Sequence, residues 1–588
     1  MNQGQTQLTP GARRLMGSCV IVLILIAVVA GAGILWYTTR TTPTSATQLP
    51  VAVQPTNSVQ TQPSGVQLST PVVQATQVTG GTTVTAPTPF EPITGWPPDP
   101  DNRPVLKVAF PPFGSYFTIS QMVGMDNPNR LYRLEAVPLE FTSPTGETLN
   151  SATEDEQAMK MANGEWDVLL TTADALARRP QIGVWVTDID QSAGADKTVA
   201  WPVGKHQCVG KEIKIFNDLR GCSIGVSAGS VGEYQVLSFM RLTAMTPADI
   251  TIVPFDTVGD AVTAFTSGQL DAVAGWTPDI DSAEEAGGKP LLNSSWLRNI
   301  NDVLVVSNKA NAEKADLIQA FLNDWFTALK FQQESPSEAW ELVANWSYGE
   351  FGTNDWTFVY PGSALDDVKL WLEDQVAQAG LDSNLILAQN PDVLVDRLNN
   401  AREVWSWGGS PMGEPFNPEG LVETKYLKAL EPVAAEYRPA SGGFINPTYL
   451  PFPKTGSAPT PDQLISLPTV AEFGCAQVEF SAGIVVLEPG TGTYDNFVKC
   501  ATSLKQLLAA SDVQLLVTGS AAYPSTYTYQ RSESFAKRRA IGIQNALVQA
   551  GIPLERITVT WRVGTKTSDE NLMQLDRWVK IEIKVGAG

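Results

Sequence analysis

Apolar and polar positions follow different rhythms in successive parts of the chain. Residues 19–37 contain no charged residue, and at about 1.5 Å per residue they would span roughly 28 Å, close to the thickness of a bilayer's hydrocarbon core. Residues 41–90 contain no Asp, Glu, Lys, Arg or His and are dominated by Thr, Pro, Gln, Val and Ser, the composition of a linker. From 104 to 438 short apolar runs alternate with helical spacing. The runs at 105–110, 134–141, 168–172, 184–188, 223–227, 250–254, 272–276 and 303–307 predict strands, and 232–242 and 258–267 predict helices. Strands alternating with helices imply mainly parallel sheets covered on both faces, and roughly 330 residues are too many for one such core, so two α/β lobes are expected.

After a Pro-rich break at 439–461, a last unit at 462–588 reads strand near 477–480, helix 494–510, strand 513–518, helix 529–550, and strands 557–561 and 579–585. This pattern predicts a small α/β sandwich. The expected organisation is a cytoplasmic tail at 1–16, a transmembrane helix at 17–39, a linker at 40–103, the two-lobed region at 104–438, a second linker at 439–461 and the terminal unit at 462–588.

Charge narrows the partners. A net charge of -21 in 588 residues would repel phosphate backbones and anionic headgroups, so nucleic acid is excluded and membrane contact must be hydrophobic. Arg13 and Arg14 precede the apolar run and only Arg40 closely follows it, which places the N-terminus in the cytoplasm and the remainder in the periplasm or outside the cell. A cleavable signal is the rival reading, since Ala30, Gly31 and Ala32 form a small-residue site, but apolar residues continue past it through Trp36. With Cys19 set aside, Cys208 with Cys222 and Cys475 with Cys500 can form one local disulfide in each later domain; buried free thiols are the alternative.

The stretch from Asp218 to Ser230 carries the richest chemistry. A strand ending in small residues and opening a helix makes an anion site, because free N–H groups and the helix dipole point outward while Ser227 and Ser230 add hydroxyls. Equally, Ser230 can simply cap the helix. The chain continues through Gly268 to Ala272 and on to Trp276 and Pro278. Together these phrases resemble the extracytoplasmic solute-binding proteins of ABC importers, in the nitrate, sulfonate, taurine and thiamine-precursor group. The resemblance implies a type II periplasmic-binding-protein fold that closes over a small solute, no cofactor, and a permease as partner. It also implies that Ser227, Ser230 and Trp276 bind from the second lobe. Strand ends in the first lobe would contribute Phe113, Ser115, Tyr116, Thr172 and Asp174, where open α/β sheets bind ligands. The serines favour an anionic solute, whereas Asp174, Asp279 and Asp281 favour a cation or zwitterion.

The terminal unit resembles the OmpA-like peptidoglycan-associated domain, through Val478-Glu479-Phe480, Val513 to Gly519, Lys537 to Ala540 and Asp576 to Val579. That resemblance implies peptidoglycan as a partner gripped by Arg539 and Arg577. The family's aspartate, however, is replaced by Ala522 in a turn reading Gly519-Ser520-Ala521-Ala522. A single histidine, His206, and the absence of P-loop, GxSxG or metal-spaced clusters argue against an enzyme. A tethered solute receptor is the expected function, and an envelope scaffold or sensor that uses the binding fold for protein interaction is the alternative.

Overall fold

The computed structural model describes residues 91–92 and, with short gaps, 103–149, 154–344, 376–439, 460–475 and 487–585. The expected tail, transmembrane helix, most of both linkers and the strand at 477–480 lie outside the described residues. No helix among the described residues is long and apolar enough to cross a membrane.

The middle of the chain builds two sheets. Strands β1 (Val105–Phe110), β2 (Arg133–Pro138), β3 (Val168–Thr172) and β4 (Val184–Ser192) belong to the first sheet. Strands β5 (Asp196–Ala200), β6 (Ser223–Ser227), β7 (Thr251–Phe255), β8 (Ala272–Trp276) and β9 (Lys289–Asn293) form the second. The chain then returns to the first sheet as β10 (Asn301–Val306) and β11 (Val376–Gln378). The first sheet runs β11-β4-β10-β3-β1-β2, and the second runs β7-β6-β8-β5-β9. Parallel pairing joins β1 to β2 and β3, and β6 to β7 and β8; the pairs beside the crossings are antiparallel. The two sheets make two α/β lobes.

Of the eight expected strands, those at 105–110, 168–172, 223–227 and 272–276 form with the anticipated bounds. Two differences matter for function. The strand expected to end at Asp188 runs on to Ser192, and the one expected to begin at Val303 begins at Asn301. Both extensions carry polar residues into buried sheet, where cross-strand bonds satisfy the backbone.

The lobes are joined by two crossings, from β4 through 193–195 to β5 and from β9 through 294–300 to β10. Ser294, wholly buried, ties them together. Its Oγ accepts from the backbone N–H groups of Gly194 and Asp196, each at 3.1 Å, and lies 2.7 Å from Ser192 Oγ.

A third sheet follows, built from β12 (Thr469–Glu472), β13 (Gln514–Pro524), β14 (Ile557–Thr567) and β15 (Val579–Lys584) in the order β12-β15-β13-β14. Helices Gly492–Ala510 and Tyr529–Gln549 form close to their expected positions. The segment Gly519 to Ala522, expected as a turn, is instead the middle of β13, which pairs with β14 past Ala521. At Gly519 a Cβ would lie 2.2 Å from Ala536 O, so glycine is required there for the helix to approach the strand.

This unit docks on the second lobe. Asn217 donates from Nδ2 to Glu472 O at 2.9 Å and accepts from Glu472 N at 2.7 Å, and Gly474 N donates to Leu242 O at 2.9 Å. Both expected disulfides form: Cys208–Cys222 lies inside the second lobe, and Cys475–Cys500 ties the chain after β12 to the helix Gly492–Ala510. Each closes a short loop and should stabilise by about 3 kcal/mol in the chain-entropy model.

Replacing Ser294 by Ala removes the acceptor of two backbone N–H groups at the hinge. The expected loss is about 2 kcal/mol or more in denaturant unfolding of the full chain, with faster hydrogen exchange at 194 and 196.

Candidate functional site

The strand ends that face one another across the hinge gather most of the expected binding residues. After β1 the chain turns through Gly114–Phe117 and places Tyr116 under the first sheet, where its hydroxyl donates to Asp302 Oδ1 at 2.7 Å. Phe113 packs edge-on against Tyr116, with ring centroids 5.5 Å apart, and stays half-exposed. Thr172 ends β3, caps the next helix by accepting from Ala175 N at 3.4 Å, and is the cross-strand neighbour of Asp302. Asp174, in the first turn of that helix, is buried. From the second lobe, Trp276 ends β8, half-exposed, as the cross-strand neighbour of Asp196.

The feature missed in the sequence is a set of buried carboxyls. Asp190 and Asp302 are direct cross-strand partners on β4 and β10, and Asp196 opens β5 just beyond the hinge. All three are at most 3% exposed. Two like charges directly opposite in a sheet repel, and both carboxylates can only accept, so a hydrogen bond between them requires a proton. Burial drives Asp190 up to about 7, with the charges of Asp196 and Asp188 adding to it. Burial likewise lifts Asp196 to about 7, reinforced by Asp302 and Asp174, and lifts Asp174 to about 6. Burial raises Asp302 well above the ordinary carboxylate range, with Asp190 adding its charge. The sequence signal was the pair Asp188 and Asp190 inside an apolar run; the register shift between them sets the two acids on opposite faces of β4.

The neighbouring acids are neutralised within the chain. Asp188 pairs with Arg397 at 2.9 Å. Asp281 pairs with Lys197 at 2.7 Å, and Lys197 also reaches Glu284, so Asp281 is occupied, while Asp279 is exposed.

The helix start at Ser227 to Ser230 is arranged differently from either sequence expectation. Ser230 Oγ donates to Ser227 O at 2.7 Å and Ser227 Oγ to Asp256 O at 3.3 Å, so neither hydroxyl is offered outward and Ser230 makes no side-chain cap. Glu233 reaches back to accept from Gly229 N at 2.6 Å, so the chain supplies its own carboxylate to the helix N-terminus. Arg178 of the first lobe donates to Gly229 O at 2.6 Å and stacks 4.5 Å from the Trp405 ring. This contact holds the two lobes together beside the cleft.

In the terminal unit, buried Arg539 donates to Ser520 O at 2.7 Å, and burial with the nearby charge of Arg577 lowers it to about 10. Arg577 is engaged by Glu570 at 2.6 Å and Gln574 at 3.0 Å, and buried Ala522 occupies the position where the resemblance calls for an aspartate.

A buried carboxyl with a raised pKa holds its proton more tightly when folded, so its stabilising effect is complete below about 4 and is lost as pH rises through the folded value. The ligand-free chain should therefore lose stability from about pH 4 to about 7, as Asp174, Asp190 and Asp196 are forced to ionise. Asp190→Asn should flatten that slope in thermal unfolding followed across this range; an unchanged slope would show that the cleft acids do not set it.

Comparison with known proteins agrees with this architecture. Residues 206–339 match the family described as NMT1/THI5 like. An ABC transporter periplasmic binding protein of Brachyspira hyodysenteriae is 25% identical over 252 residues, covering 41% of this chain and 69% of that protein. Among solved structures, the periplasmic aliphatic sulphonate binding protein SsuA from Escherichia coli aligns with a TM-score of 0.36 at 15% identity, covering 50% of this chain and 93% of its own. The alkanesulfonate-binding protein SsuA from Xanthomonas axonopodis pv. citri bound to MOPS aligns with a TM-score of 0.34 at 14% identity, covering 50% and 94%. The middle of the chain thus contains an NMT1/THI5-like segment.

Proposed function

We propose that the two-lobed region captures a small organic solute outside the cytoplasmic membrane and presents it to the permease of an ABC importer. The observation that carries this reading is that polar and aromatic groups from both lobes meet beside the hinge. Tyr116, Thr172 and Asp302 come from the first lobe, and Asp196 and Trp276 from the second. Arg178 crosses between the lobes to Gly229, as a closed binding protein requires. The NMT1/THI5-like match over 206–339 and the likeness to a periplasmic binding protein support the same reading.

Residues 17–39 would anchor the protein through one membrane helix, with residues 40–103 as a spacer. The unit at 462–588 would act as an OmpA-like attachment domain, with Arg539 and Arg577 as its wall-binding residues. Because both arginines already have partners inside the unit, wall binding would have to displace those contacts. A sensor is the second reading, favoured by the docking of the terminal unit on the second lobe through Asn217 and Glu472.

Thermal unfolding of the detergent-solubilised full chain against a panel of amines, amino acids, sulfonates and nitrate tests capture. A cognate solute at about one hundred times its Kd should stabilise by roughly 2.7 kcal/mol, and Trp276→Ala should reduce that effect. Silence across the panel would favour the sensor or scaffold.

A further inference from the structure

The desolvated acids of the cleft differ from their neighbour in one respect. Asp188 has Arg397 at 2.9 Å, but no Lys or Arg figures among the leading neighbours of Asp190, Asp196 or Asp302. Three basic groups of the two lobes are committed elsewhere: Arg178 to Gly229 O, Arg397 to Asp188 and Lys197 to Asp281 and Glu284. Burying a carboxylate without a partner is costly, so each such group must hold a proton or meet a cation.

A second observation is independent of the acids. Ser115 is wholly buried, and its hydroxyl lies beside Asp190 without completing a well-formed hydrogen bond. One oxygen of Asp196, one of Asp302 and both of Asp190 also lack partners. Buried polar atoms left unsatisfied on both sides of one hinge mark a place where a ligand completes the network. At the helix start that could have bound an anion, Glu233 already accepts from Gly229 N.

The acids do not form a metal site. Among the described residues, the only three His, Cys, Asp or Glu ligand atoms within 4.8 Å of one another belong to Cys208, Cys222 and Asp271, and the two cysteines are disulfide-bonded. Carboxyls that do not converge on a point suit a cation with several donors spread in space. Tyr116 and Trp276 beside them add aromatic faces that also favour a cation.

We propose that the cleft is specific for a solute bearing two or more protonated amines, whose N–H groups donate to Asp190, Asp196, Asp302 and Ser115. This rests on the solute-capture reading and adds the charge class. Binding such a solute would displace protons from the acids, so affinity should rise with pH.

Isothermal titration calorimetry of the detergent-solubilised full chain at pH 7.5 tests the proposal with putrescine, 1,3-diaminopropane and spermidine against nitrate and propanesulfonate. The expected result is binding of at least one amine and neither anion, with affinity lowered at least about tenfold in Asp302→Asn. Asn keeps an acceptor for Tyr116 and removes the repulsion with Asp190, so the variant should fold, as its thermal midpoint would verify. At pH 6.5, adding the amine to the weakly buffered unsubstituted protein should release protons, read as a fall in pH; no release would overturn placement of the amine among these acids. Binding of an anion with no amine would overturn the charge class while leaving solute capture intact. No binding by either class, together with silence across the wider thermal panel, would overturn both.

Discussion

Everything at the cleft depends on the chain crossing twice between two sheets, with both crossings held by the single hydroxyl of Ser294. Because the crossings leave from β4 and β10, these strands must lie side by side, buried within the first sheet. All nine residues of β4 and all six of β10 are buried. The register shifts between Asp302 and Val303, which pair with Asp190 and Asp188, so Asp190 shares its face with Asp302 while Asp188 lies on the other. The hinge thus fixes the backbone geometry and, with it, how strongly the polar groups next to it are desolvated.

Closure is supported from outside the two sheets. The helix Pro391–Trp407 packs against the helix Ala173–Arg178 of the first lobe and the helix Val231–Leu242 of the second. Trp405, fully buried, stacks beneath Arg178 and lies 5.8 Å from the Tyr234 ring. Arg178 can therefore reach Gly229 O with its charge supported by an aromatic face. The carboxyls behind this contact remain out of water, where electrostatic interactions are strongest. An acidic chain thus concentrates in the cleft a set of acids that differ from its many solvated ones.

The terminal unit is continuous with the second lobe. Val470, Ala471 and Phe473 join the same apolar cluster as Phe239, Leu242 and Phe216. The amide of Asn217 satisfies both backbone groups of Glu472 on an edge strand that would otherwise leave them open. This arrangement limits how the unit could serve as an independent wall-binding domain, and its two arginines are already engaged within it.

Local chemistry was legible where it depends on periodicity. The α/β class, the bounds of β1, β3, β6 and β8 and both disulfide pairs were readable, because pleat, helical spacing and chain order act over short distances. The sequence alone also determined the net charge and the uncharged run at 19–37. Tertiary structure decided the rest. Whether Ser227 and Ser230 face a ligand depended on where Glu233 folds back, and the segment at Gly519 became strand because β14 and β15 lie on either side of it. The acids at Asp190, Asp196 and Asp302 are far apart in sequence, and each alone reads as an ordinary surface residue. Their desolvation and mutual repulsion arise only when strand register and hinge bring them together, since burial and pairing are properties of the assembled fold.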